Sequence, residues 1–265
     1  MSERASSPIG VFDSGVGGLS VLRHLRTALP AEDFLYVADC GHAPYGARSP
    51  EFIRERSLAI GEFLHQRGAK ALVVACNTAT AAAVDALRAA LRIPVVAMEP
   101  GIKPAVNATR SKIIGVLATA GTLESARFFS LVNRYAGDCE IITQPCAGLV
   151  ECVEANELNS LKTFALLKQY LEPLLAQGAD TIVLGCTHYP FLRDALAELL
   201  GSNIAIIDTG PAVARELKRR LAEFDLLREA GTGVETFWSS GDERSYVVIR
   251  QLWQADARVE ALPTL

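Results

Sequence analysis

Residues 68–78 read GAKALVVACNT, and residues 178–188 read GADTIVLGCTH. Each stretch passes from a glycine through a short apolar run to a cysteine that is followed by polar side chains. An apolar run of this length, bounded by turn residues, is typical of a strand buried in a parallel sheet. Residues 9–15 (IGVFDSG) and 114–120 (IGVLATA) form a second matching pair at nearly the same offset. The two pairs indicate that the chain contains two similar α/β halves.

Apolar runs alternate with amphipathic segments along almost the whole chain, which predicts an α/β fold with mostly parallel sheets. The predicted strands are residues 9–13, 34–39, 71–76, 95–99, 113–119, 181–186, 204–208 and 234–240. The predicted helices are residues 51–67, 78–91, 160–177 and 211–224. A helix, a strand and a helix are expected in residues 209–265.

The two cysteines that end the repeated strands, Cys76 and Cys186, are the first candidates for a functional role. Ligands of open α/β sheets bind outside the carboxyl ends of the strands. Two halves that face each other would therefore place both thiols at one cleft. The simpler alternative is that each is an ordinary buried cysteine, but the matching placement favours the cleft.

Composition excludes several classes of protein. The chain has 265 residues, 50% of them hydrophobic, six cysteines and a formal net charge of −4. A chain this apolar can bury a large core, whereas the mild negative charge argues against nucleic acid as a partner. Residues 1–7 are polar and lack the apolar segment of an export signal, and no apolar run is long enough to cross a membrane. We therefore expect a cytoplasmic protein with free thiols.

Both thiols are predicted to lie near helix N-termini. Asn77 or Thr78 can cap the helix after Cys76, and Pro190 suits the first position of a helix after Cys186. The positive end of a helix lowers the pKa of a thiol and disfavours the charged form of His188. Paired thiols with such neighbours suggest proton transfer.

Other cysteine chemistries fit less well. A phosphatase loop needs an arginine six positions after the cysteine, where Ala82 and Leu192 stand instead. A structural zinc site is disfavoured because no Cys-x-x-Cys pair occurs, so no metal is expected. A Cys-His hydrolase remains an alternative.

Two polar turns are predicted at the same cleft. Residues 13–18 (DSGVGG) offer a carboxylate, a hydroxyl and several backbone N–H groups. The dinucleotide fingerprint fails here, because its third glycine would fall on Ser20. We interpret the turn as a cradle for a small carboxylate, with a simple tight turn as the alternative. In residues 39–46 (DCGHAPYG), Tyr45 and Gly46 can supply a hydroxyl and a backbone donor.

Four motifs in this order carry a family resemblance that covers most of the chain. They are residues 12–18 (FDSGVGG), 44–46 (PYG), 75–79 (ACNTA) and 185–190 (GCTHYP). The chain resembles the glutamate racemases of the aspartate/glutamate racemase family. The resemblance implies two flavodoxin-like α/β lobes with the active site between them, and a homodimer. It also implies interconversion of L- and D-glutamate without a cofactor, supplying D-glutamate for peptidoglycan.

The resemblance also implies roles for individual residues. Cys76 would be the base for D-glutamate and Cys186 the base for L-glutamate, with Asp13 assisting Cys76. His188 and Glu154 would assist Cys186, although Glu151 competes with Glu154 because it stands where a proline is common. The implied substrate contacts are Asp13, Ser14, Pro44, Tyr45, Gly46, Asn77, Thr78, Thr119, Thr122, Thr187 and His188.

Domain limits and competing functions complete the expectations. The first lobe is expected to comprise residues 1–98 and 209–265, and the second residues 99–208. A pyridoxal-dependent racemase needs a lysine for a Schiff base. The six lysines lie at predicted helix ends, strand starts or exposed faces, which disfavours it. A non-catalytic amino-acid-binding protein would need the polar turns but not the paired thiols.

Overall fold

The computed structural model describes residues 3–265, and within them the strands form two sheets. Every strand pair is parallel, which confirms the predicted α/β fold. The strands are β1 (Ile9–Asp13), β2 (Phe34–Ala38), β3 (Ala71–Val74), β4 (Val95–Ala97), β5 (Ile113–Ala118), β6 (Glu140–Pro145), β7 (Thr181–Leu184), β8 (Ala205–Ile207), β9 (Glu235–Ser239) and β10 (Val259–Ala261).

Helices follow most of the strands. They are α1 (Leu19–Ala28), α2 (Pro50–Gln66), α3 (Asn77–Ala90), α4 (Ile102–Ala108), α5 (Ala120–Leu123), α6 (Ala126–Tyr135), α7 (Leu149–Glu154), α8 (Leu161–Ala176), α9 (Arg193–Leu200), α10 (Gly210–Glu223) and α11 (Glu243–Leu252). Single 3-10 turns occupy Glu3–Ser6, Cys40–His42, Tyr45–Ala47 and Tyr189–Leu192. The last of these stands where a helix was expected to start at Pro190, so α9 begins three residues later.

The six-stranded sheet, in the order β10-β9-β2-β1-β3-β4, defines the first lobe. The four-stranded sheet, β6-β5-β7-β8, defines the second lobe. The first lobe thus takes its strands from residues 9–97 and 235–261, and α10 packs on its α1. Domain boundaries near residues 98 and 209 stay a prediction.

The repeated strands occupy the centre of each sheet. β1 pairs with β2 and β3 on its two sides, and β5 pairs with β6 and β7 in the same way. All residues of β1, β3 and β7 are buried, as expected for central parallel strands covered by helices on both faces. One apolar core cluster includes residues of both sheets, so the lobes share packed surface.

All eight predicted strands form, each within two residues of its predicted ends. The sequence patterns missed β6, β10 and the shorter helices. β6 alternates between exposed and half-buried positions at a sheet edge, so it lacks the apolar run that marks the others. In the described part of the chain, no helix is both long and apolar enough to cross a membrane.

Candidate active site

The turn after β1 holds a buried carboxylate. Asp13 Oδ2 accepts the backbone N–H groups of Gly15 at 3.2 Å and Gly18 at 2.9 Å. Its Oδ1 accepts the hydroxyl of Thr187, from the second lobe, at 3.2 Å. Burial raises the pKa of Asp13, although His188 and the two N–H groups act in the opposite direction.

The glycines of this turn let the second lobe approach closely. A Cβ atom at Gly15 would lie 1.9 Å from Glu154 Oε1, and one at Gly17 would lie 2.3 Å from His188 Nδ1. The N–H of Val16 donates to Glu154 Oε1 at 2.7 Å. The N–H groups of Gly15, Val16 and Gly18 therefore hold the protein's own carboxylates, which corrects the interpretation of this turn as a cradle for a ligand.

Cys76 itself is the N-cap residue of α3, where Asn77 or Thr78 was predicted. Its Sγ accepts the N–H of Ala79 at 3.4 Å and lies 3.7 Å from Ser14 Oγ. The N–H of Ala79 at the helix N-terminus thus acts to lower the pKa of the thiol, as predicted, but other effects on this pKa are larger. Burial, with Asp13 as a second cause, raises the pKa of Cys76, so the predicted lowering is wrong for this arrangement of the cleft.

Cys186, His188 and Glu154 form a chain of contacts in the second lobe. Cys186 Sγ lies 3.7 Å from His188 Nδ1, and His188 Nε2 lies 2.6 Å from Glu154 Oε1. Burial alone would lower the pKa of His188, but its contacts with Cys186 and Glu154 raise that pKa well above the usual value. The expectation that the helix terminus disfavours the charged form of His188 is therefore wrong. Glu151 is exposed and does not take part.

Three threonines join the lobes at the opposite wall of the cleft. Thr78 Oγ1 lies 2.9 Å from Thr119 Oγ1 and 3.1 Å from Thr122 Oγ1, and the last two are 3.0 Å apart. Gly46 packs against Thr119, since a Cβ at Gly46 would lie 2.8 Å from the Cβ of Thr119. This wall supplies hydroxyl groups from both lobes.

The loop that carries Tyr45 is fixed by a buried carboxylate that the motifs did not single out. Asp39 accepts hydrogen bonds from the Tyr45 hydroxyl at 2.6 Å and from Nε and Nη2 of Arg56 at 2.9 and 2.8 Å. Burial favours a raised pKa at Asp39, but the hydrogen bonds from Arg56 and Tyr45 lower it. Its position at the end of β2, beside Asp13 at the end of β1, was the available signal.

Most of the predicted site residues line one small cavity between the lobes. The lining is Ser14, Pro44, Tyr45, Gly46, Cys76, Asn77, Thr78, Thr119, Val150, Cys186, Thr187 and His188. Asp13, Glu154 and Thr122 stand behind this lining, and Val150 was not predicted. The side-chain N and O atoms of Asn77 are buried and have no hydrogen-bond partner in the described part of the chain. The cavity volume is about 10 Å³.

Among the described residues, no group of three His, Cys, Asp or Glu side chains is arranged to hold a metal ion.

Residues 9–217 match the family model described as Asp/Glu/Hydantoin racemase. The chain belongs to the Asp/Glu/hydantoin racemase family. This racemase is therefore an isomerase, and the resemblance stated from its motifs is confirmed.

Within this family, the similar proteins and structures include glutamate racemases. The glutamate racemase of Pseudomonas entomophila (strain L48) is 55% identical over 265 residues, covering 99% of this racemase and 100% of that protein. The crystal structure of Escherichia coli glutamate racemase with L-glutamate and the activator UDP-MurNAc-Ala has a TM-score of 0.86. It is 34% identical and covers 98% of this chain and 99% of that one. The crystal structure of the Francisella tularensis glutamate racemase in complex with D-glutamate has a TM-score of 0.85 and is 28% identical. The match covers 97% of this chain and 98% of that one.

Proposed function

We propose that this racemase interconverts L- and D-glutamate without a cofactor, using Cys76 and Cys186 as two opposed bases. The observation that carries the proposal is that two buried thiols, one from each lobe, line the same cavity. Structures of relatives with L-glutamate and with D-glutamate support the choice of substrate.

The reaction needs one thiolate and one thiol at a time. The thiolate removes the Cα proton on its own face, and the thiol donates its proton to the opposite face, so that the two exchange protonation states. Cys76 acts on D-glutamate and Cys186 on L-glutamate. Proton transfer by positioned groups contributes about 10² to 10⁴-fold, so electrostatic stabilisation of the carbanion must supply much of the remainder.

The neighbours of the two thiols are suited to this exchange. His188 lies between Cys186 and Glu154, and its contacts with them raise its pKa, which places a proton donor next to the Cys186 sulfur. Near Cys76, the charge of Asp13 favours the thiol.

Polar groups around the cavity are available for the substrate carboxylates and ammonium. The amide of Asn77 lacks a partner, and a buried polar group without one is costly, so a bound amino acid would satisfy it. Thr78 adds a hydroxyl at the start of α3, where the helix terminus favours an anion. The proposed contact set is completed by Ser14, Pro44, Tyr45, Gly46, Thr119, Thr187 and His188 in the lining, and by Asp13 and Thr122 behind it.

Substrate entry requires the cleft to open. A cavity of about 10 Å³ holds one water molecule at most, so glutamate cannot enter unless the lobes separate or side chains move. Opening must break or stretch contacts between the lobes, among them the threonine wall, the bond that the Thr187 hydroxyl donates to Asp13 and the bond from the Val16 N–H to Glu154.

The deciding experiment is exchange of the Cα proton of L- and D-glutamate in D₂O, with purified protein and no added cofactor, followed by NMR and optical rotation. Deuterium entry with loss of rotation supports the proposal. Exchange of aspartate but not glutamate would keep the mechanism and overturn the substrate. Binding without exchange of either amino acid would select a non-catalytic binding protein.

Three wider assignments rest on the family resemblance. We propose that the D-glutamate serves peptidoglycan synthesis, that the enzyme is a homodimer and that it works in the cytoplasm. The free state of all six cysteines is in keeping with a reducing compartment. We also propose lobe boundaries at residues 98/99 and 208/209, since no strand of either sheet crosses them.

A further inference from the structure

A groove with a volume of about 740 Å³ lies at the edge of the six-stranded sheet opposite the catalytic cleft. It forms where the strands β1, β3 and β4 begin and where the helices α2, α3 and α10 end. The groove is about seventy times larger in volume than the closed cleft, and its own residues take no part in the proposed reaction.

The side chains that line the groove are basic on one side and apolar on the other. The basic residues that line it are His65, Lys70, Arg88, Arg92 and Arg220, of which Lys70 is paired with the buried Glu32, and among the side chains of residues 5–265 no Asp or Glu lines it. This concentration of positive charge contrasts with the net charge of −4 for the chain. Pro94 and Phe224 form part of the apolar lining, and Phe224 is 49% exposed.

A purely structural role for these cations is capping of helix C-termini. His65, Arg88 and Arg220 do lie in the last turns of their helices, where positive charge complements the helix dipole. However, hydrogen bonds from their side chains to the terminal carbonyls do not occur in the described part of the chain, and backbone N–H groups cap those ends instead. Capping therefore does not account for the arrangement.

Ion pairing compensates the positive charge of the groove only in part. Arg92 lies beyond the end of α3, is exposed, and forms no hydrogen bond or ion pair within the described residues. Arg88 is 3.7 Å from Asp85, but that carboxylate is already held by both bonds from Arg127. Arg220 shares Glu223 with Arg219, at 3.2 Å each.

We infer that this basic groove binds a small organic polyanion whose phosphate or carboxylate groups contact Arg88, Arg92 and Arg220. A guanidinium group can form two parallel hydrogen bonds to the oxygens of a phosphate or carboxylate, a bidentate geometry that the ammonium group of lysine does not offer. The Arg220 guanidinium lies 5.2 Å from the centre of the Phe224 ring, so one wall offers charge and an apolar face together. A ligand with an apolar part as well as charged groups fits that wall.

The test is isothermal titration with tripolyphosphate and, separately, with citrate, on the wild type and on two double variants. Arg88→Gln with Arg92→Gln removes two charges from the groove. Arg54→Gln with Arg215→Gln removes two exposed charges elsewhere and is the matched control. We expect saturable binding that weakens by about tenfold or more only in the groove variant, since that variant loses two guanidinium groups that would make charge-assisted hydrogen bonds to the ligand.

A second readout locates the ligand. The imidazole NMR signals of His65, assigned with His65→Gln, should move on titration, whereas those of His24 should not. Binding of tripolyphosphate alone assigns phosphate, and binding of citrate as well extends the class to carboxylates. Equal weakening in both double variants, or no saturable binding of either probe, overturns the inference. Racemase activity without ligand should be unchanged in all variants, because none of these arginines reaches the cleft.

Discussion

His188 Nε2 lies 2.6 Å from Glu154 Oε1, and the same carboxylate oxygen accepts the N–H of Val16 at 2.7 Å. Val16 belongs to the first lobe, whereas Glu154 and His188 belong to the second. The histidine also faces the thiol of Cys186 at 3.7 Å. The carboxylate of Glu154 thus holds the imidazole of His188 next to the thiol of Cys186. The same carboxylate joins the two lobes through its bond from Val16.

The substitution Glu154→Gln is expected to slow racemisation by about 10²-fold, the lower end of what general acid-base groups contribute. The amide cannot stabilise a charged imidazole, so the pKa of His188 should fall toward its usual value. NMR titration of His188 measures that shift, and steady-state kinetics in both directions measure the rate. Because the two enantiomers of glutamate have equal free energies, kcat/KM should fall by the same factor in both directions.

Glu151→Gln is the matched control for that variant. Glu151 lies on the same short helix but is exposed, so its loss should leave both the rates and the pKa of His188 unchanged. Reversed effects of the two substitutions would assign the assisting role to Glu151.

Replacement of either catalytic thiol, by Cys76→Ala or Cys186→Ala, should abolish turnover while the fold remains intact. Each variant lacks one of two required proton carriers, so we expect a loss of at least about 10² to 10⁴-fold in each direction. Circular dichroism checks the fold and polarimetry checks the turnover. Cys139→Ala, at a half-buried cysteine away from the cavity, should behave like the wild type. Full turnover in either cleft variant would exclude the two-base mechanism.

A methyl group at position 17 should disturb catalysis more than stability. In Gly17→Ala the new Cβ would lie 2.3 Å from His188 Nδ1, which forces the imidazole away from Cys186. A displacement of about 1 Å in a catalytic group can cost about 10²-fold in rate. Gly121→Ala is the control near the same cleft, because its Cβ meets nothing closer than 3.5 Å. Comparable rate losses in the two variants would show that the contact with His188 is not the cause.

The meeting of Cys76 and Cys186 could be predicted from the sequence because both end the same repeated strand. The choice between Glu151 and Glu154 could not, since residues one helical turn apart are expected on one face. Here α7 has six residues and starts after Gly148 at φ 87°, which turns Glu154, its last residue, toward Val16. The predicted directions of the pKa shifts of Cys76 and His188 were also wrong. Burial outweighs the helix terminus at Cys76, and the contacts with Cys186 and Glu154 outweigh it at His188.

The role of Asp39 in holding Tyr45 and Arg56 could not be predicted from the sequence, for a different reason. Its partner Arg56 is 17 positions away on α2, and only the folded sheet brings the two together. Long-range polar pairs of this kind carry no local pattern, whereas the apolar period of a strand does.

Stability should depend on pH through Asp180, at the start of β7. Its carboxylate accepts the Thr109 hydroxyl at 2.6 Å and the N–H groups of Arg110 and Ser111, each at 2.8 Å. Burial opposes ionisation, but these hydrogen bonds hold the pKa of Asp180 well below its usual value. A group with a depressed pKa in the folded state stabilises the protein above its unfolded pKa, and this contribution disappears as the pH falls toward the folded value.

The variant Asp180→Asn should therefore lower the free energy of unfolding by about 1 kcal/mol at pH 7. The difference from the wild type should shrink as the pH falls below about 4, where the unfolded carboxyl becomes protonated. Urea titrations at a series of pH values measure both effects. Asp256→Asn, at an exposed carboxylate with no bond among the described residues, should show neither, and a constant difference at all pH values would contradict the assignment.

A buried ion pair stabilises the first lobe far from the cleft. Lys70 Nζ donates to Glu32 and to the carbonyl of Ala5, and Glu32 Oε1 accepts the N–H of Arg228 at 2.8 Å. Burial lowers the pKa of Lys70 even though Glu32 acts to raise it. Removal of one partner leaves the other charge buried without compensation, so Lys70→Met should destabilise the protein by about 3–5 kcal/mol.

The double variant Lys70→Met with Glu32→Gln should recover part of that loss, because both charges are then absent. The four free energies of unfolding give the coupling between the two residues directly. Lys112→Met, which breaks an exposed pair with Asp138, should have a much smaller effect, since solvent screens exposed charges. Racemase activity of the folded Lys70 variants should equal that of the wild type, because the pair lies at the edge of the sheet opposite Cys76. A double variant less stable than both single ones would show that the hydrogen bonds of Glu32, and not charge compensation, stabilise this edge.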